Sequence, residues 1–180
     1  NKMVGFVNEL LDASKTDFYR TNLKRGFVDF KKIVEDEING ISELTRKNKQ
    51  EVQFKILAAD LNIWGDGQKL SKVVMNLLSN AVKYTPVDGR IEVVLSADEK
   101  TIKFLVINTG YGIMPDEIDK IFNKYQRLAR HSELEGTGLG LSLVRDIVDL
   151  HNGHMTVRSE PHKETEFSVV LPRDLRTKER

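Results

Sequence analysis

Four side chains near the middle of the chain have types and spacing that suit chemistry on a charged ligand: Asn76, Asn80, Lys83 and Tyr84. The steps between them are four, three and one residues. At about 100° per residue on a helix they fall within roughly one 100° sector. Leu70, Val73, Val74, Leu77, Leu78 and Ala81 recur at helical spacing beside them and form the apolar face. Two amides, an ammonium and an aromatic ring therefore border a core together. Amide oxygens suit a hard divalent cation, lysine suits phosphate and tyrosine suits the face of a base. A solvated helix edge explains any one of these residues. It explains all four less well, because two asparagines in adjacent turns weaken a helix.

Two glycine-bearing stretches follow. Asn108-Thr109-Gly110-Tyr111-Gly112-Ile113 comes directly after an apolar run. Its paired glycines let backbone approach a ligand closely, or simply make a turn. Gly136-Thr137-Gly138-Leu139-Gly140-Leu141 leads into a helical pattern. Exposed N–H groups at a helix N-terminus form an anion site, and a flexible linker is the plainer alternative. No Gly-Lys-Ser/Thr follows, so this is not a Walker A loop, and no strand runs into it as a dinucleotide fingerprint requires.

The elements that must position these residues can be read from hydrophobic period and turn signals. Met3, Val4, Val7, Leu10 and Leu11 predict an amphipathic helix over residues 1–20. Gly26–Asp29 reads as an extended piece ending in an N-cap aspartate, followed by a helix from Phe30 to Lys49. Strands are expected at 52–57 and 62–64. Asp66 then caps a helix to Tyr84, stopped by Thr85-Pro86. A hairpin pairs 90–96 with 101–107, and a short helix ends at Phe122. Residues 124–135 are polar and aperiodic, a mobile segment. A helix over 138–151 and strands at 155–159 and 166–171 complete the chain. This order predicts an α+β two-layer sandwich, a mixed but mostly antiparallel five-stranded sheet with helices on one face.

Composition sets outer bounds. The 180 residues hold 28 Lys plus Arg against 27 Asp plus Glu, a net charge of +1, which excludes a mainly electrostatic nucleic-acid binder. The apolar share of 39% supports a true core. The absence of cysteine excludes disulfide scaffolds, thiolate metal sites and cysteine nucleophiles. No apolar run approaches the roughly 20 residues of a membrane span, so no membrane contact is expected of this chain. No signal-peptide pattern opens it.

Taken in order, these stretches resemble the sensor histidine kinases of two-component systems. The run from Asn76 through Pro86 is similar to their N box, 108–113 to the G1 box, 121–127 to the F box and 136–141 to the G2 box. The resemblance covers about 28–172, and residues 1–17 are similar to the end of the family's dimerisation and phosphotransfer helix. It implies the Bergerat ATP-binding fold, with ATP and Mg²⁺ as cofactors. Residues 1–20 would be the end of the phosphotransfer helix, 21–172 the catalytic domain and 173–180 a charged tail. By the resemblance, Asn76 and Asn80 would hold Mg²⁺ and the phosphates, with Asn80, Lys83 and Arg127 in the transfer step. Lys83 and Arg127 would reach phosphate, Tyr84 would lie against adenine, and Asn108 would read its amino group. Gly110, Gly112 and Ile113 would line the base side and Thr165 would sit near the base. Gly136, Thr137, Gly138, Leu139, Gly140 and Leu141 would offer backbone to the phosphates.

The implied partners are a phosphotransfer domain of the same protein carrying the acceptor histidine, a response-regulator receiver domain and a second copy in a homodimer. The implied location is cytoplasmic, with the intact protein anchored in the inner membrane. Three departures stand out. None of His131, His151, His154 or His162 lies on a helix resembling the acceptor helix; His151 and His154 flank a helix end, a capping position. Position 108 is Asn where the family normally has Asp. An ordinary rather than charge-assisted bond to adenine costs about 1 kcal/mol, roughly tenfold in affinity, and a flipped amide would admit GTP. Pro161-His162-Lys163-Glu164 replaces a glycine-containing turn. Two rival readings are a degenerate nucleotide-binding interaction module, which Asn108 favours, and an ATP hydrolase of the same superfold. The second usually carries an acid just before Asn76, where this chain has Lys72, Val73, Val74 and Met75.

Overall fold

The apolar alternation of two strands organises the molecule. In β4 (Arg90–Ala97) and β5 (Thr101–Thr109) every second residue is buried: Ile91, Val93 and Leu95, then Ile102, Phe104, Val106 and Asn108. A period of two puts those residues on one face, which must be covered. The computed structural model describes residues 23–126 and 137–174. In it β4 and β5 lie inside a five-stranded sheet of order β2-β4-β5-β7-β6, with β2 at Glu51–Ile56, β6 at His154–Glu160 and β7 at Glu164–Pro172. All pairs are antiparallel except β2 with β4. The α+β sandwich with a mixed, mostly antiparallel sheet is therefore observed. The 62–64 strand does not join that sheet. As β3 (Asn62–Gly65) it pairs with β1 (Gly26–Asp29) in a separate two-stranded ribbon.

Three helices cover the apolar face: α1 (Phe30–Lys47), α2 (Gly67–Tyr84) and α3 (Gly140–Leu150). α2 packs against both of the others, and Leu70, Val73, Val74, Leu77, Leu78 and Ala81 are buried as their spacing demands. Phe30 of α1 meets Phe104 of β5 edge-to-face, ring centroids 5.9 Å apart. Asp29 and Asp66 cap α1 and α2, each accepting from the backbone N–H three residues on.

Where the ends of elements differ from expectation, they do so by one or two residues. α1 stops at Lys47, because Lys49 takes a positive φ of 54°. The short helix before Phe122 is two 3₁₀ turns, Pro115–Glu117 and Lys120–Phe122. The helix expected over 1–20 lies outside the described residues, as does most of the 124–135 segment.

Candidate nucleotide site

α2 is the spine of the site, and three other segments touch it along its length. At its C-terminal end the G1-like loop closes on Tyr84. A Cβ on Gly110 would stand 2.3 Å from the Tyr84 carbonyl oxygen. No residue but glycine fits there, whatever its φ. Gly112, at φ 64°, is pressed against the turn between β6 and β7, where a Cβ would meet the Glu160 carbonyl oxygen at 2.4 Å. Both glycines thus stand where a side chain would strike protein backbone. Backbone bonds from Gly110 N to Lys163 O (3.0 Å) and from His162 N to Tyr111 O (2.8 Å) zip the loop to that turn. His162 holds φ 61°, a conformation glycine would accept more readily.

In the middle of α2, Asn76 meets α3. Its Nδ2 donates to the Lys72 carbonyl at 2.7 Å, so its Oδ1 is the free end of the amide. A Cβ on Gly140 would stand 2.6 Å from that oxygen. The first residue of α3 therefore lies directly on the Asn76 amide. Leu139 is the N-cap of α3 and caps nothing with its side chain. The first N–H groups of this 11-residue helix have no side-chain acceptor among the described residues. Gly138, at φ 74°, accepts a bond from Tyr125 N at 3.0 Å, which brings 125–126 and 137–138 side by side. Arg127 and Gly136, expected in the site, lie outside the described residues, as does His131. Asn80 is half-buried one turn beyond Asn76. Lys83 extends its ammonium over the Tyr84 ring, 4.9 Å from the centroid, and makes no ion pair among the described residues. Thr137, Leu139 and Leu141 are half-buried around the start of α3, and Ile113 packs against the core.

The sheet contributes the floor. Asn108 and Thr165 are direct partners across β5 and β7. Both are 5% exposed, on the side that faces the helices. Asn108 Nδ2 donates to the Thr109 carbonyl at 3.3 Å, and its Oδ1 accepts nothing among the described residues. Beneath Thr165, Ser159 on β6 was not signalled by any motif. The alternation that buries Met155 and Val157 places it on the same face.

At the far end of α2, His151 is fully buried at the C-terminal end of α3. Its Nε2 accepts from Asp66 N–H at 3.0 Å, and its Nδ1 donates to the Ile147 carbonyl at 2.8 Å. These partners dictate the neutral tautomer protonated at Nδ1. Burial holds the imidazole below its ordinary value. The capping role expected of His151 is thus real, and its ring serves two places: the last turn of its own helix through the Ile147 carbonyl and the start of α2 through the Asp66 N–H.

The donor set fits a hard cation held mainly by phosphates. No three His, Asp or Glu side chains gather among the described residues, and the oxygen offered is the amide of Asn76. The exposed Phe27 and its edge-to-face partner Trp64 pair across the β1–β3 ribbon, and Phe27 lines a separate open cleft that none of the nucleotide-site residues named from the sequence borders.

The family profile described as histidine kinase-, DNA gyrase B- and HSP90-like ATPase matches residues 65–175. The chain belongs to this ATPase family. It is 30% identical over 171 residues to the histidine protein kinase DivJ of Caulobacter vibrioides, covering 94% of this chain and 29% of that protein. It is 31% identical to the adaptive-response sensory kinase SasA of Thermosynechococcus vestitus, covering 92% of this chain and 44% of that one. It superposes on the catalytic domain of the histidine kinase ThkA with a TM-score of 0.76 at 24% identity, over 83% of this chain and 96% of that domain. Full-length ShkA in complex with AMPPNP superposes at a TM-score of 0.75 and 25% identity, over 84% of this chain and 31% of that one. The chain thus spans less than half the length of these curated relatives, and its fold is that of a histidine kinase catalytic domain.

Proposed function

We propose that this domain binds ATP with Mg²⁺ and donates the γ-phosphoryl group to a histidine on a phosphotransfer helix, for relay to an aspartate of a response regulator. The observation that carries the reading is the close approach of Asn76 Oδ1 to the N-terminus of α3, which no side chain caps among the described residues. An amide oxygen for a cation and the first N–H groups of a helix for phosphate lie side by side there. Asn76 and Asn80 are the residues to hold Mg²⁺, whose contribution is to neutralise phosphate charge. Lys83 and Arg127 supply further positive charge. Tyr84, Ile113, Asn108 and Thr165 take the base, and 136–141 the phosphates. With no carboxylate placed among the described residues to activate water, this arrangement works by positioning and charge neutralisation. The acceptor helix, a homodimer and a receiver domain would be its partners on the cytoplasmic face of the membrane that anchors the intact protein.

The test is calorimetry with a non-hydrolysable ATP analogue and Mg²⁺, followed by labelling from radioactive ATP. The chain alone remains unlabelled, and a phosphotransfer domain added in trans acquires acid-labile phosphate. Binding without transfer in trans would favour an interaction module instead, the reading that Asn108 supports.

A further inference from the structure

Ser159 joins three segments of the site through one hydroxyl. It accepts from Ile113 N–H at 2.8 Å, donates to the Glu164 carbonyl at 2.8 Å and lies 2.8 Å from the Thr165 hydroxyl. A serine hydroxyl has one proton and two lone pairs. The proton is committed to Glu164 and one lone pair to Ile113. The contact with Thr165 is satisfied only if Thr165 is the donor. The single proton of Thr165 therefore points at Ser159, and only lone pairs remain for the pocket. Asn108 stands opposite Thr165 with its N–H₂ turned to Thr109 and its oxygen uncommitted. The floor between β5 and β7 thus presents two oxygen acceptors, Thr165 Oγ1 and Asn108 Oδ1, and the Asn108 Nδ2 hydrogen not given to Thr109 is the one side-chain donor beside them.

We propose that Ser159 is a positioning residue that sets base preference: by holding the Thr165 hydroxyl as an acceptor, it makes the site choose a purine carrying an amino donor at C6 over one carrying a carbonyl. The proposal rests on the nucleotide reading above, with the base against Asn108 and Thr165. An adenine amino group meets acceptors with its two hydrogens. A guanine carbonyl in the same place meets lone pairs, and a site of fixed polarity rejects such a mismatch strongly. The bond from Asn108 to Thr109 opposes the flipped amide that would otherwise admit GTP. Removing Ser159 frees the Thr165 proton to turn toward the ligand and donate to the carbonyl.

The experiment measures affinities of non-hydrolysable ATP and GTP analogues with Mg²⁺ by calorimetry, on folded protein checked by circular dichroism. Wild type favours the ATP analogue by tenfold or more. Ser159→Ala lowers that ratio at least fivefold, mainly by strengthening the GTP analogue. Ser159→Thr keeps the ratio, and in a Thr165→Val background Ser159→Ala leaves it unchanged. If Ser159→Ala does not fold, Ser159→Cys, a weak hydrogen-bonding partner, replaces it with the same expected direction. A ratio within twofold of wild type in the Ser159 variant overturns the proposal, as does an equal shift in the Thr165→Val background. Binding of neither analogue by wild type overturns the nucleotide reading as well, so the two failures are distinct.

Discussion

Replacing His151 by alanine removes the pin between the end of α3 and the start of α2. The Asp66 N–H loses its acceptor in a buried setting, which costs about 1–3 kcal/mol. The Ile147 carbonyl is less affected, because it also accepts from His151 N at 3.1 Å. The vacated ring volume adds about 1–2 kcal/mol, since helices on either side close only partly. The expected loss is about 3 kcal/mol at pH 8, read from urea unfolding by linear extrapolation. The loss depends on pH in a definite direction. Burial, opposed by the Ile147 bond and Asp66 and assisted by Lys69 and Arg25, places the folded-state pKa below the ordinary 6.5. The unfolded chain then takes up a proton below about pH 6.5 that the folded chain refuses. Stability from neutral His151 is complete above that pH and falls away as the pH drops toward the lowered value. Protonation would also aim an Nε2–H at the Asp66 N–H, donor against donor. Wild type therefore loses stability between pH 8 and 5.5 that His151→Ala does not have to lose, and the gap between them narrows. A loss under 1 kcal/mol at pH 8, or a gap that widens toward pH 5.5, would refute this account.

Gly140→Ala pushes a methyl against the movable Asn76 amide, so melting temperature changes by less than about 3 °C while affinity for a Mg²⁺–ATP analogue falls several-fold; calorimetry and thermal unfolding measure both. Gln50→Met removes bonds from Nε2 to the carbonyls of Val82 and Thr85 at the end of α2. Its Oε1 has no partner among the described residues, so the expected loss is only about 1 kcal/mol in urea unfolding. Asn108→Asp strengthens adenine binding roughly tenfold by calorimetry through a charged acceptor. The same change lowers unfolding stability at pH 8 by about 1–2 kcal/mol, because a buried carboxylate then faces the Thr109 carbonyl.

The sequence by itself determined what local physics decides. The caps Asp29 and Asp66 act on N–H groups three residues away, so their meaning is contained in a few adjacent letters. The period-2 strands and the helical face of α2 declare which side is buried because water, not a particular neighbour, enforces the pattern. The two asparagines of α2 and the glycines Gly110, Gly112, Gly138 and Gly140 were legible for the same reason: type and spacing within one segment. Tertiary structure decided everything that depends on which segments meet. The parallel pairing of β2 with β4 and the separate β1–β3 ribbon have no local signature, since either strand could satisfy its backbone against several partners. Ser159 looks like an ordinary strand serine until Ile113, 46 residues earlier, delivers its N–H. His151 reads as the end of its own helix, and one ring nitrogen does bond Ile147 there, but the other serves Asp66, 85 residues away. A side-chain hydrogen bond selects geometry rather than sequence distance, so such partners become visible only when the chain has folded.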